Sequence, residues 1–311
     1  MSKPPVVMIS HEMLAPIQAG LEAQGYKVVR RWDMTPNEGA EAQAIVHAGE
    51  IVLTPEFLAF LPELKLIANV SVGYDGVDVA WCRARDIEVT HAEGLNAEDV
   101  ADHAVGLLIA SWRDIVRGDQ MVRSGGWTMA DRMGARPGLK GRKVGVMGLG
   151  FIGEAVASRV EAFGMQVSWW GPRPKPDARW PRAESLKALA ADSDILVVAC
   201  RADASNRKAV NAEIIEAVGP RGLIVNVARG SIIDEDALVA ALKEGRLGRA
   251  ALDVFAQEPT PASRWAGVPG TVLTPHSAGT TVDSLPLMIG QCFENLRRFF
   301  AGEPLMSPVP D

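Results

Sequence analysis

Four polar residues punctuate apolar runs in the second half of the chain: Arg229 after LIVNVA, Asp253 after RAAL, Glu258 shortly beyond, and His276 after TVLTP. A guanidinium can hold a carboxylate through a forked pair of charge-assisted hydrogen bonds. A histidine can pass a proton to a ketone oxygen, and a carboxylate beside it keeps the ring protonated for that task. Taken singly, each has a bland alternative: Arg229 and Glu258 could form a structural ion pair, and a lone histidine is more often structural. Taken together, they suit acid–base chemistry on a small molecule that carries both a carboxylate and a ketone.

The elements that must position them are strands, because open parallel sheets gather ligands beyond the carboxyl ends of their strands. One such strand, Lys143 to Met147, runs into Gly148-x-Gly150-x-x-Gly153 and a helix from Glu154 to Ala162. Alone, that glycine spacing is a weak signal. Between a strand and a helix, with a second strand from Met165 to Trp170 behind, it predicts a turn whose backbone N–H groups take a dinucleotide pyrophosphate. An NAD site would place an acid on the adenosine ribose roughly 20 residues beyond the glycines. Gly171, Pro172 and Arg173 stand there instead, with Lys175 next and Arg201 past the following strand. An acid would repel a 2′-phosphate, whereas Arg173, helped by Lys175 or Arg201, would attract one. The spacing therefore predicts NADPH in preference to NADH.

The chain has 311 residues, 48% hydrophobic, longer than the roughly 250 to 300 residues at which single cores split. Short apolar runs alternate with helical stretches from Val6 to Val89, and a second such series follows residue 140. That rhythm predicts α/β structure with two doubly wound parallel sheets. The expected division is residues 1–97 with 278–311 as one domain and 98–277 as the other. A continuous amphipathic helix, Val100 to Val122, would lead from one to the other. A formal net charge of −6 argues against nucleic-acid and anionic-membrane partners, which need cationic surfaces. The longest apolar run, Ala104 to Trp112, is too short to span a bilayer, and no secretory leader is evident. Cys82, Cys200 and Cys292 have neither a disulfide pattern nor metal-ligand spacing, so no metal and a cytoplasmic location are expected.

The segments GLGFIGEAVASRVEAFG, NVARGSIIDEDALVAALKEGRLGRAALDVFAQEP and LTPHSAG resemble those of the D-isomer-specific 2-hydroxyacid dehydrogenases. SVGYDGVDVAWCRARDIEVT and NAEDVADHAVGLLIASWR carry the resemblance over nearly the whole chain. Within that family the chain is most similar to the NADPH-dependent glyoxylate, hydroxypyruvate and hydroxyphenylpyruvate reductases. The resemblance implies a Rossmann domain, a flavodoxin-like substrate domain and a homodimer, here joined through the apolar helix Ala101 to Trp112. It further implies that Arg229 binds a 2-oxo acid, that His276 and Glu258 form the acid/base pair, and that Val72 and Gly73 offer backbone N–H groups to the substrate carboxylate. The dinucleotide would meet Gly148, Gly150, Phe151, Ile152, Gly153, Arg173, Lys175, Arg201, Val227 and Asp253. Two other readings are a dinucleotide-sensing corepressor of the same fold and a dehydrogenase of 3-phosphoglycerate. An intact set of Arg229, Glu258 and His276 favours catalysis, because a sensor would not need all three.

Overall fold

The structure, a computed structural model, describes residues 3–310. The chain forms two compact units, one holding the residues up to Asn96 and from Val282 onward, the other Ala97–Thr281. Each is built on a sheet whose strands pair with one another in parallel. Parallel sheets need crossovers that cover both faces, which is why strands such as Ala44–His47 and Leu223–Asn226 are buried at every residue.

In the first unit, β1 (Val6–Ile9), β2 (Lys27–Arg30), β3 (Ala44–His47), β4 (Leu66–Asn69) and β5 (Glu88–Thr90) lie in the order β2-β1-β3-β4-β5. This is the flavodoxin-like order, whose direction reverses between β1 and β3. Polar side chains join the ends of those two strands. His47 Nε2 donates to Ile51 O at 2.9 Å, so Nδ1 accepts from Ser10 Oγ at 2.7 Å. Burial pushes the His47 pKa down to about 4, as expected of a ring held neutral inside the fold. The helix Ser284–Ala301 packs on β4, burying Met288, Cys292 and Leu296 against that sheet.

The second unit carries β6 (Lys143–Met147), β7 (Gln166–Trp170), β8 (Ile195–Val198), β9 (Leu223–Asn226), β10 (Arg249–Leu252) and β11 (Thr271–Leu273), in the order β11-β10-β9-β8-β6-β7. An isolated parallel bridge from Trp169 to Arg182 adds the stub of a further strand outside β7. With that stub counted, the first six strands run 3-2-1-4-5-6, the dinucleotide-fold order, and the crevice between β6 and β8 is its switch point. The helix after the glycine turn begins at Phe151, three residues earlier than its apolar period suggests.

Three expectations are corrected. The amphipathic stretch is two helices, Ala97–Trp112 and Ile115–Arg123, because Asp114 takes a left-handed conformation with φ 53°. Aspartate tolerates that conformation better than most residues, and its carboxylate is held by Arg136 at 2.6 Å and faces Arg249 at 3.7 Å. The apolar face of Ala101 to Trp112 is not available as a subunit interface. Ala101, Ala104, Leu108 and Trp112 are each at most 2% exposed, packed in the second unit's own core with Val156, Val160 and Val225. Finally, the first unit resumes at Val282, not at 278, because the Asp253 carboxylate accepts from the N–H groups of Ser277 and Ala278 at 3.0 Å each.

Candidate active site

The turn after β6 has the shape a dinucleotide needs. Gly148 has φ 94°, and a Cβ there would lie 2.5 Å from the Cys200 backbone at the end of β8. A Cβ on Gly153 would lie 1.9 Å from Gly148 O, so only glycine lets the helix pack so close to the turn. Gly150 meets nothing within 4 Å and precedes a helix whose start has no side-chain cap. Space on one side and uncapped helical N–H groups on the other suit a pyrophosphate. These residues fit the cofactor on steric grounds alone. Phe151, beside the turn, is 62% exposed, while Ile152 is half-buried. Val227, just past β9, is buried and reaches the core.

Beyond β7 the loop from Gly171 carries the cations. A Cβ on Gly171 would make only an ordinary 3.4 Å contact with Trp169, so packing does not demand glycine there. Arg173 is exposed and has no hydrogen-bond or ion-pair partner among the described residues. Lys175 is placed differently, since Nζ lies against Leu149 O and pairs with Glu154 at 2.9 Å, tying the loop to the glycine turn. Arg201, past β8, faces Asp203 at 3.6 Å. Sequence reasoning missed Arg182, which donates to Gly171 O at 2.7 Å and anchors the loop from below. Its signal was faint, an arginine two residues past Trp180 in a segment without regular period.

The ends of β9, β10 and β11 bring the other expected residues together within the second unit. Gly230 makes this possible: a Cβ there would lie 1.9 Å from the Phe255 backbone, so the Arg229 segment can rest on the 255–258 loop only with glycine next to it. Asn226 braces the same bend, donating to Arg229 O and accepting from Ala228 N–H at 3.0 Å each. Glu258 is held at both oxygens. Oε1 accepts from Phe255 N–H at 2.8 Å and Oε2 lies 2.6 Å from His276 Nδ1. Burial pushes the Glu258 carboxyl upward. The hydrogen bonds from His276 and Phe255 N–H, with the positive charges of His276 and Arg229, outweigh it and hold the carboxyl below its usual range.

His276 itself sits at φ 52°, a conformation that costs a non-glycine residue energy and persists only when its surroundings impose it. Asp253 imposes it. Its carbonyl accepts from His276 N–H at 2.8 Å, and its carboxylate binds the Thr274 hydroxyl at 2.6 Å besides the two N–H groups just beyond the histidine. His103 Nε2, from the 97–112 helix, lies 3.0 Å from Thr274 Oγ1 and 3.5 Å from the Asp253 carboxylate. Asp253, only 1% exposed, therefore shapes the histidine turn. His103 and Thr274 escaped sequence reasoning because their partners lie far along the chain. Among the described residues no cluster of His, Cys, Asp and Glu could hold a metal ion, and no helix is long and apolar enough to cross a membrane.

The pattern of the D-isomer specific 2-hydroxyacid dehydrogenase NAD binding domain matches residues 105–278. The hydroxyphenylpyruvate reductase of Plectranthus scutellarioides is 37% identical over 306 residues, covering 96% of this chain and 97% of that protein. A glyoxylate/hydroxypyruvate reductase of Arabidopsis thaliana is 38% identical over 274 residues, 88% of this chain and 85% of its own. The crystal structure of an NADPH-dependent glyoxylate/hydroxypyruvate reductase from Sinorhizobium meliloti, in complex with NADP and malonate, superposes with a TM-score of 0.92 at 34% identity, over 99% of this chain and 97% of that one. With two parallel α/β sheets and a glycine turn shaped for a pyrophosphate, the chain belongs to the D-isomer specific 2-hydroxyacid dehydrogenases, oxidoreductases that use a nicotinamide dinucleotide.

Proposed function

We propose that this enzyme reduces a small 2-oxo acid, either glyoxylate, hydroxypyruvate or an arylpyruvate, to the D-2-hydroxy acid with NADPH as the preferred cofactor. The observation that carries the reading is the His276–Glu258 pair, 2.6 Å apart on a strained turn with the charge of Arg229 acting on the same carboxylate. The second unit would hold the dinucleotide on Gly148, Gly150, Gly153 and the adjoining Phe151 and Ile152, with Arg173 at the adenosine end. The nicotinamide supplies the hydride when bound. Arg229 orients the oxo acid through its guanidinium. With Nδ1 turned to Glu258, His276 delivers its proton to the ketone oxygen from Nε2, and Glu258 stabilises the charged ring. The first unit binds substrate through the N–H groups of Val72 and Gly73. We assign the enzyme to the cytoplasm on its three unbridged cysteines.

The relatives named above favour this substrate class. Purified protein should oxidise NADPH with glyoxylate, hydroxypyruvate or hydroxyphenylpyruvate, and D-configured product should accumulate from at least one of the latter two. An L-configured product would overturn the assignment.

Glu258→Gln tests the pair. The interaction is reciprocal, since the ring that favours an ionised Glu258 is itself favoured in its protonated form by that carboxylate. Reduction needs the protonated ring, so activity is present below the histidine's pKa and lost as pH rises through it. Removing the charge should move that alkaline limb to lower pH. An unchanged profile would contradict the pairing.

The proposed homodimer surface is the helix Ile115–Arg123 together with the segment that follows it. Ile115, Val122, Trp127 and Met129 are each more than half exposed, and a second copy of the chain is the proposed cover. Sedimentation at micromolar concentration should give a dimer, and Trp127→Glu with Met129→Glu should give monomer. A wild-type monomer would end that reading.

A further inference from the structure

In the first unit, the loop that follows β4 lies on a floor of polar contacts. Ser71 Oγ donates to Gly73 O at 2.8 Å and accepts from Gly49 N–H at 2.7 Å. A Cβ on Gly49 would stand 1.9 Å from Gly73 O, so glycine at 49 is what lets the two segments lie so close. These contacts fix the carbonyl of Gly73. The peptide before it is held by one side chain, His91, whose Nδ1 lies 3.0 Å from Val72 O. A carbonyl only accepts, so Nδ1 carries the proton and donates.

His91 stands just past β5 and is 7% exposed. Its N–H donates to Ser307 O at 3.2 Å, its carbonyl accepts from Gln291 Nε2 at 2.9 Å, and its ring meets Tyr74 edge-on at 5.0 Å. Nε2 is buried without a hydrogen-bond partner among the described residues. An apolar ring could fill this space without stranding an acceptor, and stranding one is costly. The imidazole is therefore explained by what its other nitrogen does. Val72 O and Gly73 N–H belong to one planar peptide unit. Donation to the carbonyl fixes that plane and polarises the unit, which strengthens the N–H as a donor.

We propose that His91 is a positioning residue for the substrate carboxylate: by holding Val72 O it orients and polarises the Val72–Gly73 peptide whose N–H takes the carboxylate. This rests on the assignment of that loop to substrate binding. His91 does not touch the substrate.

The decisive comparison is His91→Phe against His91→Asn in the full-length enzyme. Phenylalanine keeps the ring against Tyr74 and loses the donor, whereas asparagine loses the ring and keeps an N–H near the position of Nδ1. The Phe variant should raise KM for the 2-oxo acid about 3- to 10-fold, with kcat and the KM for NADPH little changed, as expected when one neutral hydrogen bond supports uniform binding. The Asn variant should stay within about twofold of wild type, as most of the donor is kept. The opposite ranking, Phe tolerated and Asn impaired, would show a packing role and overturn the inference. His91→Leu makes the same comparison should the Phe variant fail to fold. Gly73→Val separates the two levels, because a side chain there blocks the approach of the carboxylate. A raised KM in Gly73→Val with none in His91→Phe leaves the loop assignment standing and rejects His91. No change in either variant rejects the loop assignment itself.

Discussion

Replacing His276 by alanine should lower turnover about 10²- to 10⁴-fold, the usual contribution of a positioned proton donor. The loss should fall on kcat and kcat/KM alike, since the proton is needed only as the ketone oxygen gains charge. Binding of NADPH, measured by fluorescence titration, should persist, because the glycine turn and Arg173 are untouched. The fold should survive too: the Asp253 carboxylate binds Thr274 Oγ1 and the N–H groups of Ser277 and Ala278, none of which involves the imidazole. Near-normal turnover in a folded His276→Ala variant would remove the acid from the mechanism.

Arg173→Ala should raise the Michaelis constant for NADPH roughly ten- to a hundred-fold and leave NADH nearly unchanged. A hydrogen bond to a charged group contributes about 1.5 to 3 kcal/mol, which sets that range. Arg173 is the cation to test because it is exposed and unpartnered among the described residues, whereas Lys175 is committed to Leu149 O and Glu154. Lys175→Ala should accordingly weaken both cofactors, through a looser glycine turn, more than it shifts the choice between them. Equal losses with both cofactors in Arg173→Ala would show that the Gly171–Pro172–Arg173 turn does not read the 2′-phosphate.

Much of the fold was legible because its signals are local. A strand, three glycines and a helix within 20 residues can each be read from neighbouring side chains, and the parallel sheets follow from buried runs such as ILVV and LIVN. The candidate acid and its partner were legible for the same reason, as polar residues ending apolar strands. What escaped depends on contacts distant in sequence or on the backbone. Asp253 stood out only as a polar residue after RAAL, and nothing in that run announces that its oxygens go to N–H groups at 277 and 278. The helix break at Asp114 was hidden because its partners, Arg136 and Arg249, lie 22 and 135 residues further on. Apolar periodicity on Ala101 to Trp112 says only that the face is covered. Here the cover is its own core, not a second subunit. His91 sits in a polar stretch, VTHAEG, whose composition reads as an ordinary loop.

Initial rates of reduced-nicotinamide oxidation, measured with hydroxypyruvate at matched concentrations of NADPH and NADH, test the central claim most directly. The proposed function predicts turnover with both and a kcat/KM at least about ten-fold higher with NADPH, the lower end of what one arginine–phosphate contact provides. Dinucleotide binding without turnover on any of the three 2-oxo acids, or a clear preference for NADH, would contradict it.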